Sequence, residues 1–162
     1  MSTPSSPLLA RLGAVLLIQL ALLVGAVAPQ LSARGMGEEY LLRVAPVDPI
    51  DPFRGAYVDL DYPDLRLDDE LPRSDDRDTV FVTLVDDGGV LVATSVTYTR
   101  PATSPYLTCD ADAWRTRCGI ESLFVPQDEA QRLEEAVATG EMVARVRIDS
   151  RGHAALLGVE DR

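Results

Sequence analysis

Residues Leu12 to Ala28, LGAVLLIQLALLVGAVA, carry no charge and a single polar side chain, Gln19. With Leu8, Leu9 and Ala10 ahead of Arg11, the apolar run reaches the length a helix needs to cross about 30 Å of hydrocarbon. A helix buried in a soluble core would show an apolar stripe on one face, and this run is apolar all round. Arg11 can lay its stem along the apolar surface and keep its guanidinium at the interface. The sequence thus predicts one membrane helix, followed by everything else the chain has to fold.

A short N-terminal region, an apolar stretch and Ala26-Val27-Ala28 also imitate a secretory signal with an A-x-A cleavage site. Pro29 would follow that cut, and a cut after Ala33 would put Leu31 where a small residue is preferred. Both features favour an uncleaved anchor. Arg11 is the one positive charge before the helix, so the N-terminus is expected on the cytoplasmic side. The expected division is 1–11 cytoplasmic, 12–28 membrane helix, 29–37 linker and 38–162 a single extracytoplasmic domain, in the membrane of a bacterial cell envelope.

That domain is acidic. All 15 basic residues are Arg, against 26 acids, for a formal charge of −11. The absence of Lys removes Schiff-base and Ser–Lys chemistry, both of which need the amine. The negative charge opposes nucleic-acid binding, and it leads us to expect a domain standing off anionic lipid headgroups. Cys109 and Cys118, the only cysteines, lie nine residues apart in a stretch without clear periodicity. In an oxidising compartment they are expected to form a disulfide closing a short loop. No second cysteine pair accompanies them and the single His153 is distant in sequence, so neither a zinc site nor any other cofactor is expected.

Strand patterns follow the membrane segment. Glu38 to Val44 begins the series. Ala56 to Tyr62 alternates, with Asp59 and Asp61 on one face and Val58, Leu60 and Tyr62 on the other. Between them Pro46, Pro49 and Pro52 exclude helix. Pro63 to Asp78 reads as an acidic surface loop. Thr79 to Asp86 and Val90 to Thr99 flank Asp87-Gly88-Gly89, a hairpin signal. Arg100 to Gly119 reads as irregular, Ile120 to Val125 as a strand, and Gln127 to Thr139 as an amphipathic helix opened by Pro126 and stopped by Gly140. Met142 to Asp149 alternates Val143, Arg145 and Arg147 with Ala144, Val146 and Ile148. Ser150-Arg151-Gly152 turns into a last strand, His153 to Leu157. The expected fold is α+β and mostly β: about seven strands and one amphipathic helix in a sandwich or partly closed barrel.

The segment Leu41-Leu42-Arg43-Val44-x-Pro46-Val47-Asp48-Pro49-x-Asp51-x-x-Arg54-Gly55-x-Tyr57-Val58-x-Leu60-x-Tyr62 resembles the GDYXXLXY family, whose motif falls on Gly55 to Tyr62. The resemblance extends over most of residues 40–158, including the strand–helix–strand ending. It implies a membrane helix with an exported domain, and a multi-pass envelope membrane protein as partner, since such proteins are often encoded beside one. Ala56 stands where the family has Asp after the Gly. Were that Asp a catalytic acid, this chain would lack it; were it a turn cap, Asp48 or Asp51 could compensate.

Asp48, Asp51 and Arg54 form the best-placed polar group. Two carboxylates and an Arg could grip a ligand or perform acid–base work. Asp side chains in Pro-rich turns also bond backbone amides, and that plainer role is the expected one. Tyr57 and Tyr62, five residues apart on one strand, face opposite sides and pack on either side of the sheet. The acidic run from Asp59 to Asp78 has no EF-hand spacing and has Arg66, Arg73 and Arg77 among the acids, so a solvated loop is expected over a Ca²⁺ site. A Ser-His-Asp relay would have to use His153 with Ser95 or Ser122, and no Gly-x-Ser-x-Gly elbow exists. No catalytic residue is assigned. The expected function is a non-catalytic accessory domain that binds another envelope protein. The alternative is a ligand-binding protein or hydrolase built on Asp48, Asp51 and Arg54.

Overall fold

The structure, a computed structural model, describes residues 6–46, 57–65, 78–111, 116–124 and 142–161. Helix α1 (Ser6–Met36) comes first. Its 31 residues span about 46 Å at the usual rise per residue. From Leu8 to Ala28 nearly every residue is exposed, with Leu17 and Leu22 each at 69%. Leu8–Met36 is long and apolar enough to cross a bilayer.

The stretch expected as a linker is helical. α1 runs through Pro29 and stops only at Gly37, whose N–H donates to the Ala33 carbonyl at 2.9 Å. Proline removes one backbone donor from a helix, and packing over the following two turns outweighs that loss. Ala33 is fully buried, and the end of α1 lies against the last two strands of the chain. A Cβ on Gly37 would collide with the Ala33 carbonyl and with the backbone of Ile148, so only glycine lets the helix stop this close to the sheet.

Strands β1 (Glu38–Arg43), β9 (Met142–Ile148) and β10 (Ala154–Asp161) form one antiparallel sheet in the order β1-β9-β10. Its intervening strands are β2 (Ala45–Pro46), β3 (Tyr57–Asp61), β4 (Asp78–Asp87), β5 (Val90–Thr97), β6 (Tyr106–Ala111), β7 (Thr116–Arg117) and β8 (Ser122–Phe124). They make a three-stranded sheet, β2-β3-β8, and a four-stranded sheet, β5-β4-β6-β7. The fold is α+β and mostly β, and among the described residues no sheet closes into a barrel.

The expected alternations place the core. Val80, Val82 and Leu84 of β4 point inward at every second position, opposite Cys109 and Leu107 of β6. Leu60 and Tyr62 are buried while Asp59 is exposed, as the pattern around β3 requires. All three sheets feed one cluster, with Leu42, Leu60, Val82, Leu107, Ile120 and Val146 among its members. Burying side chains of this size stabilises by about 1.5–3 kcal/mol each. Gly88 and Gly89 take φ of 68° and 90°, the left-handed pair a two-residue hairpin needs.

Three details differ from expectation. Arg100 to Gly119 is not irregular throughout, because β6 lies inside it, paired to β4 over six residues. β10 runs on to Asp161 through a register shift between Leu156 and Gly158. In β9 the alternation holds only from Arg145 onward, since Met142, Val143 and Ala144 are all buried. The amphipathic helix expected over 127–139 lies outside the described residues, as does most of the acidic loop.

Candidate functional site

The turn between β9 and β10, Asp149 to His153, is where helix, first sheet and four-stranded sheet meet. Its centre is a buried carboxylate. Asp149 has a side chain 3% exposed and is the one buried charged residue among those described. Its Oδ1 accepts the N–H groups of Arg151 at 2.8 Å and His153 at 3.0 Å. Its Oδ2 accepts the Ser32 hydroxyl of α1 at 2.5 Å and His153 Nδ1 at 3.0 Å. A carboxylate can only accept, so Nδ1 carries the proton that faces it.

Burial acts first on this acid and would raise its pKa. The bonds from Ser32, from the Arg151 amide and from His153 outweigh it, so Asp149 is held below its ordinary value. A buried carboxylate without partners would be costly, and here every lone-pair direction in use has a donor.

The outer side of the turn is gripped by the four-stranded sheet. Thr108 of β6 donates its N–H to the Gly152 carbonyl and its hydroxyl to the Arg151 carbonyl, both at 2.8 Å. The Ser150 carbonyl accepts Tyr106 Oη at 3.0 Å and Arg100 Nη2 at 2.8 Å. Arg100 Nε donates to the same Tyr106 oxygen at 2.5 Å, and its guanidinium lies 5.5 Å from the centre of that ring. Gly152 has φ of 79°, and a Cβ there would meet the Tyr106 ring at 2.6 Å and Thr108 Oγ1 at 2.7 Å. The turn can close on β6 only through a glycine.

The rest of the helix end is tied as closely. Arg147 Nη1 donates to the Arg34 carbonyl at 2.6 Å, placing a cation at the negative end of the helix. Arg147 and Arg145 both pair with Glu39, at 3.7 and 3.3 Å, and Arg145 also with Glu160 at 3.4 Å. Gln30 Nε2 donates to the Gly119 carbonyl at 3.3 Å, on the far side of the helix end.

Ser32, Asp149 and His153 are the three residue types of a hydrolytic relay, in a different arrangement. In such a relay the base faces the nucleophile's proton. Here the Ser32 proton goes to Asp149, and His153 donates to the same oxygen. Serine and histidine are both braced by the acid. Of the serines considered from sequence, Ser122 donates its hydroxyl to Asp59 across β3 and β8. Among the described residues no three His, Cys, Asp or Glu side chains come together as a metal site would need.

Asp48, Asp51, Arg54 and Ala56 lie outside the described residues. Tyr57 opens β3 opposite Phe124. Tyr62 is buried and donates its hydroxyl to the Ile120 carbonyl at 2.8 Å. Burial, and then the charge of Glu121, push its phenol well above its ordinary pKa. Tyr62 thereby ties the end of β3 to the segment carrying Cys118, which is joined to Cys109 by a disulfide as expected. Glu121 in turn accepts the N–H groups of Cys118 and Gly119. Asp64, from the acidic run, pairs with Arg43 at 2.7 Å.

Neither Asp149 nor Ser32 stands out in the sequence. Asp149-Ser150-Arg151-Gly152 does carry a signal, because an Asp that opens a turn often bonds the amide two residues on, as Asp149 does with Arg151. Nothing local marks Ser32, whose partner lies 117 residues away.

A family model described as GDYXXLXY protein matches residues 19–159, well over half of the chain, and the chain belongs to that family. The match takes in the second half of α1, the docked helix end and the Asp149 turn. No curated protein and no solved structure matches the chain.

Proposed function

We propose that this GDYXXLXY family member is a membrane-anchored accessory domain, held outside the cytoplasm by an uncleaved helix, whose role is to bind a multi-pass envelope membrane protein. The observation that carries the reading is the unbroken helix from the apolar segment into the domain. Ser32, Ala33 and Arg34 are part of the domain's packing, so the domain is oriented by its anchor and not hung from a tether. A fixed orientation is of use to a protein that must meet a partner lying in the same membrane. The helical backbone across Ala28–Pro29 supports an intact anchor, and the Cys109–Cys118 disulfide supports an oxidising compartment.

The test is purification of the full-length protein from its own membranes in mild detergent, with intact-mass measurement and identification of what co-purifies. A full-length chain with a stoichiometric multi-pass partner is the expected result. A chain shortened at Ala28 would remove the anchor. A full-length chain recovered alone would remove the accessory role and transfer attention to Asp48, Asp51 and Arg54 as a ligand site.

A further inference from the structure

We propose that the membrane-proximal face of the domain grips the phosphate headgroups of anionic lipids through Arg34, Arg100 and Arg151. The inference rests on the anchoring reading above. From Leu8 to Ala28 the helix covers about 32 Å, which matches the hydrocarbon thickness. Ser32 is four residues further, about 6 Å along the axis. The headgroup layer on each side of a bilayer is of that order, about 5–8 Å. The structure bonds Ser32 to the Asp149 turn, so the turn and everything seated on it stand at headgroup level.

Three arginines stand there among the described residues. Among the described residues, Arg43, Arg145 and Arg147 pair with carboxylates, and Arg117 lies across from Asp110. Among the same described residues, Arg34, Arg100 and Arg151 are exposed and pair with no carboxylate. Arg34 is on the helix two residues past Ser32, Arg151 is in the turn, and Arg100 is bonded to the turn's Ser150 carbonyl. Arg100 is pre-set, with Nε and Nη2 fixed by Tyr106 and Ser150 and the rest of its fork free to meet an anion. Two acids adjoin these arginines in the chain, and each keeps its charge while accepting bonds from donors of the fold. Asp149 is buried under Ser32 and His153, and Glu38 accepts the Tyr40 hydroxyl at 2.7 Å. Tyr98, 46% exposed and two residues before Arg100, is an amphipathic ring of the kind that sits at a membrane interface.

The net charge of −11 argues against lipid binding only as an average. Charges further apart than about 8 Å are largely screened at physiological salt, so the local arginines decide what happens at the surface. An arginine near an anionic surface contributes about fivefold in affinity, and its planar fork suits a phosphate oxygen pair.

The test uses full-length protein in mixed micelles of phosphatidylglycerol and phosphatidylcholine, with native mass spectrometry of the lipids retained. Preferential retention of phosphatidylglycerol is expected, lowered about fivefold by Arg34→Gln or Arg151→Gln and by more in the double variant. Among the described residues those two side chains make no hydrogen bond or ion pair, so their replacement is expected to leave the domain intact, as its thermal melting will check. Arg43→Gln, at the other end of β1, is expected to keep the preference. Equal retention of the two lipids, or a double variant that keeps the preference, would overturn the inference. Release of the protein from membranes by alkaline carbonate would instead overturn the anchoring reading, and this inference with it.

Discussion

One helix has two very different halves. From Leu8 to Ala28 nearly every residue is exposed among the described residues, and apart from Arg11 and Gln19 their chemistry is uniform: Leu, Val, Ala, Ile and Gly. From Gln30 to Gly37 most positions have a partner. Gln30 reaches Gly119, Ser32 reaches Asp149, Ala33 is buried, Arg34 is capped by Arg147 and Gly37 admits Ile148. The first half is specified by composition, so many substitutions of like hydrophobicity would serve. The second is specified residue by residue. Because the backbone does not break between them, whatever fixes the second half in the domain fixes the first half relative to it.

The comparison can be broken from either side, and the effects should differ in kind. Leu17→Arg puts a charge in the middle of the apolar half, where insertion costs about 3 kcal/mol or more relative to Leu. Loss of carbonate-resistant membrane association is expected, with the thermal melting of the domain unchanged. Gly152→Ala strikes the other side. It strains a left-handed backbone and drives a methyl group into Tyr106 and Thr108, for a loss of about 3 kcal/mol in urea unfolding, with membrane association retained.

Ser32→Ala is a milder cut at the joint itself. It removes one bond to a buried carboxylate and should cost about 1.5–2 kcal/mol by the same assay. The joint is also sensitive to acid. Asp149 has a folded pKa below its unfolded value of 3.8, so its contribution is complete above that value and lost as pH falls through the lowered folded one. Melting temperature should therefore drop more steeply below about pH 4 in the parent than in Asp149→Asn, measured in parallel. The smallest effect is expected for Gln30→Ala, whose exposed bond to Gly119 is worth about 0.5 kcal/mol. A loss there as large as for Ser32→Ala would mean that the whole helix end, and not the Asp149 turn, carries the joint.

Much of the fold is legible in the chain because it obeys local rules. Gly88-Gly89 states its turn, and β4 alternates Val80, Val82 and Leu84 inward. Strand β6 is not legible, since Tyr106 and Leu107 are consecutive and both buried, and Pro101 and Pro105 just ahead of them suggest a loop. The helix extension is hidden by Pro29 and by the polar residues after it, which read as a linker until their partners are known. Those partners lie as far as 117 residues away, and no local pattern announces them. Asp149 was open to the turn argument, but its burial came from the packing of α1 above it. The Asp48, Asp51 and Arg54 group is still a proposal from sequence.

The central claim is that anchor and domain move as one body. Cysteine substitutions Gly25→Cys, where a Cβ meets nothing within 4 Å, and Thr94→Cys, exposed on β5, would carry spin labels in the full-length protein reconstituted in lipid nanodiscs. Electron–electron distance measurement between them is predicted to give a single narrow distribution, broadened when Ser32→Ala is added. A broad distribution in the parent protein would mean that the helix breaks near Pro29, and would contradict the account.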